Sequence, residues 1–322
     1  MTKEEFLAEW HNDNPRILVH TSGSTGKPKP LMVEKRRMLN SARITCDFLG
    51  LKPGDTALLC MPLDYIAGKM MVVRSLQRDL RLTSVRPSSH PLADDALPSF
   101  TFAAMVPMQV YNSLKVPCER ERLMRIHHLI IGGGAISDEL AQMIKPLPNA
   151  VWSTYGMTET LSHIALRRLN GPDASLWYTP FDGVGISLNA DGCLVIDAPE
   201  VCAEPLVTND IALLRTDDRT GKTLFRIKGR KDNVVCSGGI KIQIEEVEET
   251  LRPHLSAPFI IVKKQDEMLG EKAILLTESA DLTHIEEICR NTLPKYWVPR
   301  EFLHIDHLPL TETGKPKRSG AF

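Results

Sequence analysis

The chain has 322 residues, of which 43% are hydrophobic and 25% charged, and its formal net charge is −1. That length exceeds one small core and points to two domains of unequal size, while the balanced charge gives no basic field to steer nucleic acid. No apolar run approaches the roughly 18 residues of a membrane span, and segment 1–14 is polar with no apolar signal core, so a cytoplasmic protein is expected.

Residues 16–20 (RILVH) read as a buried strand that leads at once into a Ser/Thr/Gly loop. Residues 56–62 (TALLCMP) read as a second strand, and 69–80 as a helix with Met71, Val72, Ser75 and Leu76 on its inner face. Strands are expected again at 100–106, stopped by Pro107, at 126–131, ending in three glycines, and at 150–154. Between the last two, Ser137 is placed to cap a helix with Asp138 and Glu139 in its first turn and Leu140, Met143 and Ile144 inward. Strands alternating with helices argue for an α/β fold with a mostly parallel sheet, and ligands collect at the carboxyl ends of such strands.

From 171 to 224 the pattern shifts to short strands with turn signals at Asp182–Gly183 and Asp191–Gly192, read as a small β subdomain. A polar stretch, 227–233, follows. The remainder reads as a small α+β domain with a helix at 245–251, strands at 258–263 and 272–277, and a second helix opened by a capping box from Thr283 to Glu286 that turns Ile285, Ile288 and Cys289 inward. The expected domains are therefore 1–229 and 230–322.

Seven cysteines, an odd number without a CxxC pair, read as reduced thiols, and ten histidines show no metal-site spacing. The sharpest feature is Thr21–Ser22–Gly23–Ser24–Thr25–Gly26–Lys27–Pro28–Lys29. Hydroxyls and glycine N–H groups can wrap phosphate oxygens while lysines neutralise them. A P-loop needs four residues between its glycines and a Ser or Thr after its lysine. Here two residues separate Gly23 from Gly26, and Pro28 follows Lys27, so this is a phosphate loop of another kind. Spacing alone leaves a flexible polar turn open.

Those residues match a signature of the adenylate-forming, AMP-binding enzymes, which include acyl-CoA synthetases, nonribosomal adenylation domains and luciferases. The chain resembles that family from this loop to its C-terminus. In Tyr155–Gly156–Met157–Thr158–Glu159 the resemblance implies that Tyr155 packs on adenine, Thr158 contacts phosphate and Glu159 holds Mg²⁺. Gly132, Gly133 and Gly134 match a loop that lets backbone approach the adenine. Asp210 resembles the acid that holds the ribose hydroxyls, although Asn209 stands where the family has Gly. In Gly229–Arg230–Lys231–Asp232, Arg230 is implied to contact the ribose and Asp232 to be the pivot of a mobile C-terminal domain. Ser237, Gly238 and Gly239 resemble the segment that attends thioester formation. Lys315, in Pro309–Leu310–Thr311–Glu312–Thr313–Gly314–Lys315, resembles the catalytic lysine that bridges the attacking carboxylate and the α-phosphate.

The resemblance thus implies an ATP-dependent acid–CoA ligase using Mg²⁺ and coenzyme A. It first forms acyl-adenylate and pyrophosphate, then acyl-CoA and AMP. Family members carry a long region before the phosphate loop, of order a hundred residues, so the chain reads as a shortened form and its acyl-pocket wall and homodimer contacts stay open. Tyr65, in the 61–68 loop (MPLDYIAG), stands where the family has a gating histidine or aromatic. Among the branches, the chain looks closest to the o-succinylbenzoate–CoA ligases of menaquinone biosynthesis, through 155–161 (YGMTETL), the glycine triplet and Arg74–Ser75. A second carboxylate on the acid needs a cation, and Arg74, with Lys69, is expected to receive it. Five residues apart on a helix they would point about 140° from each other, so the two can share a site only if the helix begins after Lys69 or the ligand lies across its end. Another aryl- or acyl-CoA ligase, a stand-alone enzyme loading a carrier protein, and a non-catalytic nucleotide-binding protein are the alternatives.

Overall fold

The computed structural model describes residues 1–20, 30–134, 136–309 and 317–318. The chain divides into two compact units, the first comprising Met1–Ile186, Ile196–Leu206 and Arg215–Phe225, the second Ser187–Val195, Val207–Leu214 and Arg226–Phe322. Among the described residues no helix is long and apolar enough to cross a membrane.

The first unit opens with α1 (Lys3–His11), whose N-cap Thr2 and Glu5 form a capping box. Strands β1 (Arg16–His20) and β2 (Pro30–Glu34) then pair antiparallel as a separate two-stranded sheet. This corrects the reading of 16–20 as a strand of the parallel sheet. Burial alternates along β1, with Ile17 and Val19 buried, as a strand covered on one face requires. There follow α2 (Lys35–Leu49), β3 (Thr56–Leu59), α3 (Ile66–Arg78), β4 (Arg81–Ser84), β5 (Phe102–Met105), α4 (Pro107–Lys115), α5 (Pro117–Met124), β6 (His128–Ile131), α6 (Asp138–Ile144), β7 (Ala150–Gly156), β8 (His163–Arg168) and β9 (Thr179–Pro180). Pro107 does stop the third expected strand, and it does so as the first residue of α4, where its missing N–H costs nothing. Ser137 caps α6 by accepting from Leu140 N–H.

The seven-stranded sheet runs β4-β3-β5-β6-β7-β8-β9. Strands β4 through β7 in that order are mutually parallel, and β8 and β9 return antiparallel. All four residues of β5 are buried, as are the last three of β3 and of β6, the signature of strands covered on both faces. The parallel strands therefore deliver the loops after β3, β5, β6 and β7 to one edge of the sheet.

A four-stranded sheet, β10 (Gly185–Leu188), β11 (Cys193–Asp197), β12 (Leu206–Thr216) and β13 (Thr223–Arg230), contributes segments to both units. Beyond it the second unit continues through a short 3₁₀ turn, Lys231–Asn233, into β14 (Val234–Ser237), β15 (Ile240–Gln243), α7 (Ile244–Leu251), β16 (Phe259–Asp266), β17 (Gly270–Thr277), α8 (Leu282–Thr292) and β18 (Glu301–His304). Its sheet runs β15-β14-β17-β16, with β18 parallel to β17. Val247 and Leu251 of α7 and Ile285 and Cys289 of α8 pack with Val235, Ile261 and Leu275 into one core, against which Ile288 lies partly buried. The cap of α8 is Asp281, which accepts from His284 N–H. It lies two residues before the expected Thr283, because a carboxylate there reaches the free N–H groups first.

One ion pair organises the end of this unit. Arg318 grips Glu248 of α7 with both guanidinium nitrogens, at 2.6 and 2.8 Å, and also donates to Ile261 C=O at 2.6 Å. Ile261 N–H donates in turn to Glu248 at 2.7 Å. The two side chains are only 17% and 7% exposed. Lys317 N–H donates to Pro309 C=O at 2.8 Å, joining the described residues on either side of 310–316. Removing one partner of such a pair leaves a buried charge unmatched. Glu248→Ala is therefore expected to cost the second unit about 3–5 kcal/mol, read by urea unfolding. A loss under about 1 kcal/mol would mean that the pair is solvated, as surface pairs are.

Candidate functional site

Segment 21–29 and Lys315 lie outside the described residues, as do Thr21, Ser22, Gly23, Ser24, Thr25, Gly26 and Lys27 individually. The other expected residues fall into three groups.

The first group lies at the carboxyl edge of the main sheet. Gly132, Gly133 and Gly134 follow β6, and Tyr155 and Gly156 end its parallel neighbour β7. A Cβ on Gly132 would stand 2.5 Å from Thr154 Oγ1 of β7, so the glycine lets the two strand ends close up. The Tyr155 ring meets Phe225 edge-on, with centroids 5.0 Å apart, and Phe225 stacks on Tyr178 at 5.3 Å. At Gly156 a Cβ would lie 2.3 Å from Ser162 C=O and 2.4 Å from His163 Cα. The chain reverses there, with a register shift between Tyr155 and Gly156.

The reversal, 157–162, is held from within. Thr160 is fully buried, and its hydroxyl accepts from Met157 N–H at 2.9 Å and lies 2.6 Å from Ser162 C=O. Leu161 N–H donates to Thr158 C=O at 2.9 Å, and Leu161 is buried with φ +64°. A branched side chain in the left-handed region is a strained conformation that surrounding structure must enforce. The result buries Thr158 and exposes Glu159.

The second group surrounds Arg74 in α3. The residue is 2% exposed, and Nη2 donates to Ser162 Oγ at 2.5 Å. Nη1 lies 3.8 Å from Met71 Sδ, and Nε is buried with no hydrogen-bond partner. Among the described residues no carboxylate pairs with it. Burial pulls its pKa down to about 10, with Cys46 acting the other way. Ser162 Oγ also lies 3.1 Å from His163 Nδ1, and His163 Nε2 lies 3.1 Å from Thr45 Oγ1.

Lys69 does not join Arg74. Helix α3 begins at Ile66, before Lys69, so at 3.6 residues per turn the two point about 140° apart. Lys69 Nζ instead donates to Leu18 C=O at 3.3 Å and lies 5.5 Å from the Phe6 ring centre. Burial lowers its pKa, against the pull of Glu9 and Asp64. Tyr65 precedes α3 as its N-cap residue and is 42% exposed.

The third group belongs to the second unit. Arg230 bridges Asp210 at 3.3 Å and Asp232 at 3.1 Å, and Asn209 donates to Asp232 at 3.2 Å. Ser237 ends β14, and Gly238 and Gly239 form the two-residue turn into β15. Their φ values, +56° and +84°, are those of a turn that glycine makes without strain. Gly238 N–H donates to Leu269 C=O at 2.8 Å. Among the described residues no group of three or more His, Cys, Asp or Glu could hold a metal.

Sequence reasoning missed Ser162, His163 and Thr45. Ser162 immediately follows the 155–161 motif, which is a signal. Nothing in the spacing of Thr45, more than a hundred residues away in α2, announces its contact with His163.

Comparison with known proteins agrees on one family. The AMP-binding enzyme family matches residues 3–203. A 2-succinylbenzoate–CoA ligase of Bacillus mycoides is 26% identical over 97% of this chain and 70% of its own length. The solved acyl-CoA synthetase (AMP-forming)/AMP-acid ligase II-like protein of Dyadobacter fermentans is 33% identical, with a TM-score of 0.67 over 98% of this chain and 91% of that one. An O-succinylbenzoate coenzyme A synthetase of Bacillus subtilis, solved with ATP and magnesium ion, shares the fold with a TM-score of 0.74 at 23% identity, covering 94% of this chain and 69% of that one.

The close approach at Gly156 gives a direct test of the strand end. Gly156→Ala forces backbone against backbone, where no side chain can yield, and is expected to destabilise the protein by about 2–3 kcal/mol, at the upper end for overpacking. Thermal unfolding reads this. A variant melting with the wild type would show that β7 and β8 separate freely at that point.

Proposed function

Because the chain belongs to the AMP-binding enzyme family, we propose that it joins a carboxylic acid to ATP as an acyl-adenylate, releasing pyrophosphate, and then transfers the acyl group to coenzyme A. The acid we propose is 2-succinylbenzoate, an aryl acid with a second carboxylate. The observation that carries this choice is Arg74, a buried cation without an acidic partner among the described residues, beside Ser162 at the end of the 157–162 turn. A buried unmatched charge costs several kcal/mol, and a ligand carboxylate offsets that cost through charge-assisted hydrogen bonds. The names of the Bacillus relatives support the same acid.

In this reading Tyr155 and the 132–134 loop receive the adenine, and Asp210 and Arg230 receive the ribose. Loop 21–29 receives the phosphates. Glu159, exposed beside buried Thr158, fits a Mg²⁺ ion that takes one or two carboxylates with phosphates and waters. Bound there, the ion would neutralise phosphate charge. Lys315 is assigned the step in which two anions must meet, where its charge would offset their repulsion. For the second step the 237–239 turn suits a thin pantetheine arm, Tyr65 gates its entry, and Asp232 serves as the pivot between steps.

Purified protein should exchange labelled pyrophosphate into ATP only with acid present, and 2-succinylbenzoate should support exchange better than benzoate or a fatty acid. With coenzyme A as sole thiol, the thioester should accumulate. No exchange with any acid would overturn the adenylation reading. Exchange without thioester would point to a carrier-protein thiol.

Two variants sharpen the assignment. Lys315→Ala should lower adenylation by about 10²–10³, the scale for losing one transition-state donor, while still converting supplied acyl-adenylate to thioester. Equal loss in both steps would remove Lys315 from its role. Arg74→Ala should raise KM for 2-succinylbenzoate, costing about 2–5 kcal/mol in kcat/KM, and leave benzoate-driven exchange nearly unchanged. Unchanged kinetics with 2-succinylbenzoate would place its second carboxylate elsewhere.

A further inference from the structure

We propose that His163 is a positioning residue: acting through Ser162, it orients the Arg74 guanidinium to receive the second carboxylate of the acid. The inference rests on the reading of Arg74 above and adds a residue that never touches the substrate.

With the His163 ring neutral, the hydrogen bonds around it run in one direction. Thr45 sits in α2 and donates its hydroxyl to Ser41 C=O, four residues back, at 3.1 Å. That hydroxyl proton is committed, so Thr45 Oγ1 accepts at 3.1 Å from His163, whose Nε2 must carry the proton. In a neutral imidazole the other nitrogen is then an acceptor. His163 Nδ1 therefore accepts from the Ser162 hydroxyl at 3.1 Å. With its proton turned to Nδ1, Ser162 Oγ presents its lone pairs to Arg74, which can only donate, at 2.5 Å. The chain of donors runs from Arg74 through Ser162 to His163, and from His163 through Thr45 to Ser41.

The surroundings keep the ring in that state. His163 is buried, and its ring meets Phe181 edge-on at 5.5 Å. Burial holds its pKa well below the ordinary histidine value, and the Arg74 charge adds to the effect. A second proton would put an N–H at Nδ1, facing Ser162 and the guanidinium beyond it, and break the chain. Both imidazole nitrogens are thus used, and their use fixes one rotamer of Ser162. Loss of the acceptor at Nδ1 would free the Ser162 hydroxyl to turn, and with it the only oxygen among the described residues that hydrogen-bonds Arg74. The neighbouring turn, tied by Thr160 and Leu161, would stay in place.

The test has two readouts. In the intact protein without acid, ¹⁵N-histidine NMR at pH 6 should show His163 as the neutral Nε2–H tautomer. A protonated ring, or the Nδ1–H tautomer, overturns the relay whatever the substrate proves to be. Then kcat/KM is compared for 2-succinylbenzoate and benzoate. His163→Leu should lower the value for the dianion about 10- to 100-fold, the scale of one hydrogen bond to a charged group, and spare benzoate. His163→Asn, whose amide oxygen replaces the Nδ1 acceptor, should restore most of the loss. A dianion preference that survives in His163→Leu overturns the positioning role and leaves the proposed acid standing. Equal losses for both acids in both variants show a merely structural histidine and also overturn it. A wild-type enzyme with no preference for the dianion defeats the Arg74 reading, and this inference falls with it.

Discussion

At the end of β7 the backbone of Gly156 lies so close to that of Ser162 and His163 that no side chain fits between them. This closeness forces the chain to reverse within 157–162 instead of wandering into a loop, and Thr160 and the left-handed Leu161 complete the reversal. Everything proposed for the first unit hangs on it. One limb of the turn presents Tyr155, Thr158 and Glu159 at the strand end. The other limb presents Ser162 to Arg74 of α3 and His163 to Thr45 of α2. In the proposed reading, a nucleotide on one side and an acid on the other are registered against each other by a few residues of backbone, as in-line attack on a phosphate requires.

Charge is handled differently according to whether it is satisfied. Glu248 and Arg318 are sheltered but fully matched, with two short bonds between them and the Ile261 backbone closing the circuit. Such a pair organises structure without inviting a ligand. Arg230 is likewise committed to Asp210 and Asp232, so a ribose that engages Asp210 and Arg230 must share bonds that they already make with each other. Lys69 settles its charge on a backbone carbonyl and an aromatic face. Arg74 differs from all of these. It is the most deeply buried of them, its Nε has no hydrogen-bond partner, and its strongest contact is a single hydroxyl. A buried group with a perturbed pKa and an unmet hydrogen-bonding nitrogen is a candidate for a functional site.

What the sequence by itself determined was the kind of fold and where along the chain its chemistry lies. Continuous apolar runs at β3, β5 and β6 read as strands covered on both faces, and the glycine-rich segment after β6 falls at the carboxyl edge because parallel strands all end there. Ser137 was legible as a cap because capping is local chemistry. Local patterns misled where a distant partner decided the matter. The apolar run of β1 looked like a central strand, yet it pairs with β2 in a sheet of two. Whether Lys69 and Arg74 could share a site depended on where α3 begins, and its start at Ile66 sets them about 140° apart around its axis. Only the tertiary structure decided which polar atoms meet. Thr45 reaches His163 across 118 positions and Arg318 reaches Glu248 across 70, and the meeting of such side chains is fixed by how helices and strands stack, which no local periodicity encodes.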